Sequence, residues 1–339
     1  MRTSPRLLLV ALVFSGVPAL AQPIVVDEEA VAAARVAFIE RMVTKYGFDR
    51  DAIAATLTDV AIDTRVLEAI SRPAERVAPW YEYRGIFLNP ERIAAGVAFW
   101  RANEAVVEAT ARRYGVQPEL LLAIVGVESL FGQRMGMYRV LDALGTLAFA
   151  YPPRSAFFAS ELETFLLLSR DEPEMLGALG SYAGAMGAGQ FIPSSYRAYA
   201  VDANGDGRRD VWADWEDILA SVANYLEAHG WRAGEPIAAE AVKRPSWSGP
   251  EPGERVGLDA TVGSLSAAGY LFATDLPVAA EAMVFALEHD PESSEYWVGF
   301  HNFDVITRYN RSVKYALAAY QLGLAIRDAH EQAAESLAQ

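Results

Sequence analysis

The strongest candidate for chemistry is a glutamate on an apolar helix. Residues 118–131 have helical periodicity and begin with a proline, which suits the first turn of a helix. Glu128 follows apolar residues three, four and seven positions earlier, which places its carboxyl group on the buried stripe in the last turn. Burial and the negative pole of the helix both favour the protonated form. Such a group can protonate a glycosidic oxygen near neutral pH. A structural glutamate, satisfied by hydrogen bonds or by a base such as Arg134, is the alternative.

A second candidate is a glycine-rich segment, residues 181–196, that surrounds one polar amide. Its glycines, at positions 184, 187 and 189, allow the backbone to approach a ligand or another element closely. Gln190 offers both a donor and an acceptor to a sugar hydroxyl or acetamide group. The segment lacks the Gly-Lys-Ser/Thr ending of a phosphate loop. The residues alone leave ligand binding and tight packing both open.

A third candidate is an acidic loop with the first half of a calcium-binding pattern. Oxygen ligands fall at loop positions 1, 3, 5 and 9, with glycine at position 6 and a backbone carbonyl at position 7. These residues are Asp202, Asn204, Asp206, Asp210, Gly207 and Arg208. Position 12 is Ala213, so we expect Glu216 or Asp217 of the following helix to replace the usual glutamate. The pattern predicts a structural calcium ion, and a solvated Asx turn is the alternative.

The elements that must position these groups are mainly helical. Periodic apolar residues predict helices at 28–46, 92–114, 153–169 and 214–229, in addition to 118–131. Glycines 47, 115, 132 and 230 mark several of their ends. Residues 232–300 are rich in proline and glycine, which predicts a small irregular or β-containing insert. A helix is expected to return at 305–330, and the polar tail after it to fray.

Composition and charge limit the class of protein. The chain has 339 residues, 52% hydrophobic and 22% charged, as a globular protein does. Arg2 and Arg6 precede an apolar run at 7–14 and a small-residue site that ends at Ala21, which predicts a cleaved signal peptide. A buried N-terminal helix is the alternative. The signal peptide predicts export to the periplasm. Because the chain has no cysteine, we expect no lipid anchor, and because it has no second hydrophobic span, we expect a soluble protein.

The remaining residues argue against several functions. Removal of the signal peptide leaves 27 basic residues (29 less two) against 44 acidic ones, a formal charge of −17. That charge argues against binding to nucleic acid or to anionic membranes. The four histidines, at positions 229, 289, 301 and 330, do not stand at the spacing of a zinc site.

Several motifs together resemble the lytic murein transglycosylase B family, glycoside hydrolase family 103. The resemblance rests on Gly126-Val-Glu128-Ser-Leu-Phe-Gly132, on Ser181-Tyr-Ala-Gly-Ala-Met-Gly187 with Gln190-Phe-Ile-Pro-Ser-Ser-Tyr196, and on Asp202-Ala-Asn-Gly-Asp-Gly207. It continues in Tyr83-Arg84-x-x-Phe87 with Pro90-x-Arg92, in Ser221-Val-Ala-Asn-Tyr-Leu226 with Gly230-Trp231, and in Ile306-Thr-Arg-Tyr-Asn310-x-Ser312. The motifs occur in the family's order over about residues 30–325.

The resemblance implies a mainly α fold with a goose-type-lysozyme-like catalytic core, an additional helical domain and a small β insert. The corresponding divisions are 1–21 (signal peptide), 22–115 (helical domain), 116–231 (core with the acidic loop), 232–300 (insert), 301–330 (returning helix) and 331–339 (tail). It implies Glu128 as the sole catalytic carboxyl group and calcium at the acidic loop. It further implies a substrate cleft with Ser181 orienting the reactive acetamide and with Ser129, Tyr182, Met186, Gln190, Tyr225, Asn302 and Tyr309 in contact with sugar.

The implied reaction is cleavage of the MurNAc-β-1,4-GlcNAc bond of peptidoglycan without water, which leaves a 1,6-anhydro end. One glutamate would act as acid and then as base, with no catalytic cofactor. A hydrolytic muramidase, a non-catalytic peptidoglycan-binding protein and a calcium sensor are the alternatives. We expect a monomer whose partner is the glycan strand, with proteins of cell-wall synthesis or division as further candidates.

Overall fold

The computed structural model describes residues 26–71, 78–247 and 249–338. The predicted signal peptide lies outside the described residues. The first part of the described chain contains only helices, with the bounds α1 Glu28–Tyr46, α2 Arg50–Thr58, α3 Thr64–Ser71, α4 Trp80–Phe87, α5 Pro90–Ala102 and α6 Glu104–Tyr114. The predicted helix at 92–114 is therefore two helices. Asn103 separates them because its side-chain amide donates to the Phe99 carbonyl (3.0 Å), which competes with helical pairing.

The central part of the chain surrounds the buried helix α7. Its elements are α7 Pro118–Ser129, β1 Tyr138–Arg139, α8 Val140–Ala150, α9 Ser155–Asp171, β2 Leu179–Gly180, α10 Pro193–Tyr199 and α11 Trp215–Ala228. Two short 3₁₀ helices, Pro152–Arg154 and Pro173–Gly177, flank α9. Residues 120–126 of α7 are all buried, so this helix forms the centre of the main core. Strands β1 and β2 pair antiparallel, with Tyr138 opposite Gly180.

The insert predicted at 232–300 contains a five-stranded sheet, which we call the insert sheet. Its elements are β3 Ala238–Lys243, β4 Ala260–Thr261, the helix α12 Val262–Ala268, β5 Tyr270–Leu271, β6 Glu281–Asp290 and β7 Ser293–Gly299. The strand order is β4-β6-β7-β3-β5, and all the pairs are antiparallel. A small second core, which includes Val262, Leu265, Tyr270, Val298 and Phe300, packs on the sheet.

The end of the chain differs from the sequence prediction. The single helix expected at 305–330 is two helices, α13 His301–Tyr309 and α14 Val313–Ala338. Ser312 lies in the break and its hydroxyl accepts a hydrogen bond from the Tyr315 backbone N–H (3.3 Å), so it caps α14. Helix α14 continues through the tail that was expected to fray, because that tail is rich in alanine, glutamate and glutamine, which are good helix formers.

Helix α14 returns the chain to the central helix. Its glycine at position 323 faces α7 so closely that a Cβ there would lie 2.9 Å from the Glu119 carbonyl oxygen. The close approach of the two helices brings the first turn of α14 to the last turn of α7, where the candidate glutamate lies. Across the described residues, no helix combines the length and the apolar character needed to cross a membrane.

Candidate active site

The side chain of Glu128 lies in the last turn of α7, where it is largely buried. Its Oε1 accepts a hydrogen bond of 2.6 Å from the phenol of Tyr315, which is in the first turn of α14. Burial raises the pKa of Glu128 from 4.5 to about 7, and the hydrogen bond from Tyr315 opposes that shift. Near neutral pH the group therefore exists in both protonation states, as an acid that later acts as a base requires.

The chain leaves α7 through an unusual backbone conformation close to Glu128. The two residues after the helix, Leu130 and Phe131, have left-handed backbones with φ of 51° and 56°. Their N–H groups donate to the carbonyls of Gly126 and Val125, at 3.2 Å each, so those carbonyls remain paired. The expected terminator Gly132 lies two residues past the actual cap. Non-glycine residues in this conformation cluster at sites where the surrounding structure imposes a required geometry.

The alternative in which Glu128 is satisfied by a base does not describe this structure. Within the described residues, no ion pair joins Arg134 to Glu128. The backbone N–H of Arg134 instead donates to the Ser129 carbonyl (2.8 Å) and closes the turn after α7. Among the described residues, the hydrogen-bond partner of the Glu128 carboxyl group is the neutral phenol of Tyr315.

Two buried tyrosines connect the C-terminal helices α13 and α14 to the central part of the chain. Tyr315 contacts Glu128, and the Tyr309 hydroxyl donates to the Gly189 carbonyl (2.6 Å) in the glycine-rich segment. Burial, and then the charge of Glu128, raise the pKa of both phenols well above the ordinary value. Both phenols therefore remain hydrogen-bond donors at physiological pH, beside a carboxyl group that titrates.

The glycine-rich segment packs tightly and also presents a polar atom. Added Cβ atoms would lie 2.4 Å from Leu144 at Gly184, 2.2 Å from the Val211 carbonyl at Gly187 and 3.0 Å from the Tyr309 hydroxyl at Gly189. Packing thus accounts for the three glycines. Gln190 has a left-handed backbone (φ 51°), and its amide nitrogen donates to the carbonyls of Gly187 (2.7 Å) and Met135 (3.2 Å). No hydrogen bond to its Oε1 occurs within the described parts of the chain, so that atom can accept one from a ligand.

The same segment contains Ser181, Tyr182 and Met186, which differ in exposure and in hydrogen bonding. The Ser181 hydroxyl oxygen accepts from the N–H groups of Ala183 (3.2 Å) and Ala185 (3.0 Å), which leaves its own proton available for donation. Tyr182 is partly exposed and packs against the main core. Met186 is fully buried and pairs with Phe191 by two backbone hydrogen bonds of 2.9 Å.

Three of the residues predicted to contact sugar have polar groups that bond within the protein, and their contact with sugar stays a prediction. The buried Ser129 hydroxyl donates to the Val125 carbonyl (3.1 Å) and accepts from the Gly132 N–H (3.0 Å). The Tyr225 hydroxyl donates to the Arg308 carbonyl (2.5 Å). Asn302 is fully buried, and its amide binds the backbone of residues 232 and 235 at the start of the insert, with hydrogen bonds of 2.8 to 3.1 Å. Among the described residues, none of these three polar groups is hydrogen-bonded to the Glu128 carboxyl group.

Sequence reasoning missed Tyr315, which it treated only as an apolar position on the last helix. It also gave no role to Asn310, which directly follows Tyr309 and whose buried Oδ1 has no hydrogen-bond partner among the described residues. A buried polar atom of this kind normally has a partner, which here would be a ligand or a water molecule. The only signal in the sequence was the position of Asn310 within the Arg-Tyr-Asn motif.

The acidic loop forms the turn that its residues predict. The carboxylate of Asp202 accepts from the N–H groups of residues 205, 206 and 207 at 2.7 to 3.1 Å. Asn204 and Asp206 each accept from a loop N–H two residues on (2.8 Å each), and Asp210 accepts from two (2.9 Å each). Asp217, the expected last ligand, is buried, and its two oxygens accept from Ala203 (2.7 Å) and Asp210 (2.8 Å).

The donor chemistry of this loop suits calcium, because carboxylate and amide oxygens are the ligands that calcium prefers. Burial raises the pKa of Asp217, although the two backbone hydrogen bonds oppose that shift. The side chain of Arg208 pairs with Glu174 (3.5 Å), so only its carbonyl is a candidate ligand. In the parts of the chain that the structure describes, no group of three or more histidine, aspartate or glutamate side chains is arranged to hold a metal ion.

A cavity of about 580 Å³ lies between β2 and the acidic loop. Met135, Tyr196 and Trp212 are among its lining residues, and Glu128 is not. Its charged groups are already paired, since Glu172 binds both Arg209 and the Tyr196 hydroxyl.

Comparison with known proteins agrees with this geometry. Residues 30–324 match the family described as the transglycosylase SLT domain. The membrane-bound lytic murein transglycosylase B of Escherichia coli (strain K12) is 41% identical over 307 residues, which are 87% of this chain and 83% of that protein. The crystal structure of the soluble lytic transglycosylase SltB1 from Pseudomonas aeruginosa has a TM-score of 0.83 and 43% identity, covering 88% of this chain and 99% of that one. The Escherichia coli lytic transglycosylase Slt35 in complex with calcium has a TM-score of 0.78 and 40% identity, covering 88% and 93%.

The fold and the site therefore define a lysozyme-like enzyme that acts on a polysaccharide. The chain belongs to the transglycosylase SLT-domain family, and it is a lytic transglycosylase of peptidoglycan. The predicted fold class, mainly α with a small sheet, is confirmed, as is the resemblance to lytic transglycosylase B.

Proposed function

We propose that Glu128 is the single acid/base of this enzyme, which cleaves the MurNAc-β-1,4-GlcNAc bond without water. The observation that carries the proposal is a buried carboxyl group with a pKa of about 7 and a phenol as its recorded partner. Among the residues that the structure describes, no second carboxylate contributes to the pKa of Glu128. The closely spaced pair of carboxyl groups that retaining hydrolases use thus has no counterpart around this side chain.

In the proposed reaction, protonated Glu128 donates its proton to the glycosidic oxygen as the bond to C1 of the muramyl sugar breaks. The 2-acetamido group of the same sugar stabilises the positive charge that develops at C1. Glu128, now a carboxylate, removes the proton from the muramyl C6 hydroxyl, whose oxygen attacks C1 and closes the 1,6-anhydro ring. The proton returns to Glu128, so the enzyme is regenerated without water.

Two polar groups of the glycine-rich segment have atoms available for the substrate. The Ser181 hydroxyl can donate to the acetamide carbonyl, because its oxygen is already held by two backbone N–H groups. The Oε1 of Gln190 can accept from a sugar hydroxyl or N–H, because the amide nitrogen is held by two carbonyls. Both groups would therefore bind in fixed orientations at little entropic cost.

Mass spectrometry of digested peptidoglycan tests the proposal. We expect 1,6-anhydro muropeptides from the wild type and a loss of at least about 10³-fold in rate for Glu128→Gln. Glu161→Gln is the matched control, because Glu161 is also buried with a raised pKa, yet it accepts from the Ser194 N–H (2.9 Å). Reducing-end products would instead indicate a muramidase. Full activity of Glu128→Gln would remove Glu128 from the mechanism, and an inactive wild type that still binds sacculi would indicate a binding protein.

We propose in addition that the acidic loop binds a structural calcium ion through Asp202, Asn204, Asp206, Asp210 and the Arg208 carbonyl, with Asp217 closing the loop. The relative Slt35 was crystallised in complex with calcium, which supports the proposal. Bound calcium would replace the backbone N–H groups as partners of the inner carboxylate oxygens. Calcium should raise the melting temperature of the wild type and leave that of Asp202→Ala unchanged. Equal shifts in both proteins would exclude this loop.

We further propose that the enzyme works in the periplasm as a monomer after cleavage near Ala21. The basic residues and the apolar run before that position support export. Mass determination of the protein from a periplasmic extract should give a chain that begins at Gln22. An intact N-terminus in that extract would contradict cleavage.

A further inference from the structure

One lysine is almost completely buried next to the residue that contacts the catalytic acid. Lys314 lies in the first turn of α14, directly before Tyr315, and is only 5% exposed. Lysine is rarely buried to this degree unless its ammonium group is paired. The partners of this ammonium group therefore indicate its role.

The ammonium group of Lys314 joins three separate segments of the chain. It donates to the Ala78 carbonyl (3.0 Å), which lies just before α4. It forms ion pairs with Glu254 (2.9 Å), between β3 and β4, and with Glu288 (3.7 Å) on β6. Glu288 also accepts from the Trp80 N–H (3.2 Å) at the start of α4. The first turn of α14 is thus fixed to the insert sheet and to α4 at a single point.

The charges at this junction are complementary. Backbone hydrogen bonds and the charge of Lys314 hold the pKa of Glu288 below its ordinary value, against the effect of burial. Glu288 is therefore a carboxylate in the pH range in which Glu128 titrates. Removal of Lys314 would leave two acidic groups facing each other without a cation and would release the start of α4.

We propose that Lys314 is a positioning residue, which fixes the first turn of α14 so that the phenol of Tyr315 remains in contact with Glu128. The contact of 2.6 Å depends on where that turn lies, since the rest of α14 is placed independently by its packing on α7. The cap at Ser312 forms within the same local segment, so it cannot anchor the turn to the rest of the molecule. The insert sheet thereby acquires a function at the active site.

A measurement of the Glu128 carboxyl group itself tests the proposal. With ¹³C-labelled glutamate, NMR titration follows this carboxyl, which is assigned by its absence in Glu128→Gln. Tyr315→Phe should raise the pKa of Glu128, because it removes the hydrogen bond that lowers it. Lys314→Met should raise it in the same direction by at least about 0.5 unit, and Lys314→Arg should restore it in part because a cation returns.

The matched control is Lys243→Met. Lys243 also pairs with a glutamate of the insert, Glu251, but lies at the end of β3 and makes no recorded contact with α14. Its removal should leave the pKa of Glu128 unchanged. The double variant Lys314→Met/Tyr315→Phe should titrate like Tyr315→Phe alone, because the lysine acts through the tyrosine.

The result that overturns the proposal is a Glu128 pKa in folded Lys314→Met equal to that of the wild type, while Tyr315→Phe is shifted. The proposal would also be overturned if Lys314→Met and Tyr315→Phe shifted the pKa of Glu128 equally and the two shifts added in the double variant. Only the expected effect on the reaction rests on the proposed function, in which Glu128 is the acid. The expected effect on the pKa of Glu128 does not. An active Glu128→Gln enzyme would remove that assignment and leave the titration result intact, so the two failures are distinguishable. In the activity assay, Lys314→Met should move the upper limb of the pH–rate profile to higher pH, which partial unfolding alone would not do.

Discussion

Replacement of Glu128 by glutamine should make the protein more stable at alkaline pH while it abolishes activity. The carboxyl group is buried, and its pKa is about 7 in the folded protein, compared with 4.5 for the unperturbed group. Folding therefore favours the protonated form. Glutamine resembles that form in shape and hydrogen-bonding capacity and never ionises.

The sign of the pH dependence follows from the raised pKa. The native state holds the proton more tightly than the unfolded chain, so the stability associated with it is fully present below pH 4.5 and is lost as pH rises through about 7. The full difference of about 2.5 units corresponds to about 3.4 kcal/mol, and about 2.5 kcal/mol of it falls between pH 5 and pH 8. Because the residue retains some exposure, solvent screening reduces the expected value to about 2 kcal/mol.

Urea denaturation of both proteins at pH 5 and at pH 8 measures this effect. The unfolding free energy of Glu128→Gln minus that of the wild type should be about 2 kcal/mol larger at pH 8 than at pH 5, because only the wild type loses stability over this range. The exposed Glu104, in the first turn of α6, provides a control for the loss of one negative charge. Glu104→Gln should follow the wild type across the same range.

A relative stability of Glu128→Gln that is the same at both pH values would refute the reasoning. It would mean that Glu128 ionises in the folded protein as it does in the unfolded chain. The group could then not serve as a proton donor near neutral pH, and another acid would be required. Equal m-values for the two proteins are needed for the comparison, since they show that the denatured states expose similar surface.

Three further substitutions test the packing around the site. Gly136→Ala should lower the unfolding free energy by more than about 3 kcal/mol, because its φ is 94° and a Cβ would lie 2.0 Å from the Gly180 carbonyl; urea denaturation measures it. Asn302→Ala should cost about 2 kcal/mol by leaving buried backbone groups unpaired, with KM unchanged; a higher KM at normal stability would place it in the cleft instead. Gly189→Ala should displace the Tyr309 hydroxyl and lower kcat about tenfold, whereas an unaltered kcat would show that this contact is not needed for catalysis.

Local patterns predicted the helical elements well. The first helix has the predicted bounds, Glu28–Tyr46, because Asp27 caps its start and Gly47 ends it in the left-handed conformation. The acidic loop forms the Asx turns that were the alternative to a calcium site, since such turns depend only on neighbouring residues; its calcium ion stays a prediction. Predictions failed where a polar side chain interrupts an apolar pattern, as Asn103 does between α5 and α6.

The functions of buried polar residues could not be predicted in the same way. Asn302 and Tyr225 were both expected in the substrate cleft, yet their polar groups bond to backbone atoms from distant segments. Their types and positions fit a sugar contact and a structural bond equally well. Only the three-dimensional arrangement of the partners distinguishes the two roles, and a single sequence does not contain it.

The property that defines the site, the protonation of Glu128, was predicted in direction but with an incomplete cause. Helix geometry correctly placed the carboxyl group on a buried face, and burial is the main reason for its raised pKa. The negative pole invoked beside it is weakened, because N–H groups of the left-handed turn after α7 occupy the last carbonyls. The pKa of Glu128 is also lowered by the hydrogen bond from Tyr315, which is 187 residues away in the chain. Because that residue arrives on another helix, anything that moves the start of α14 must also change the acidity of Glu128.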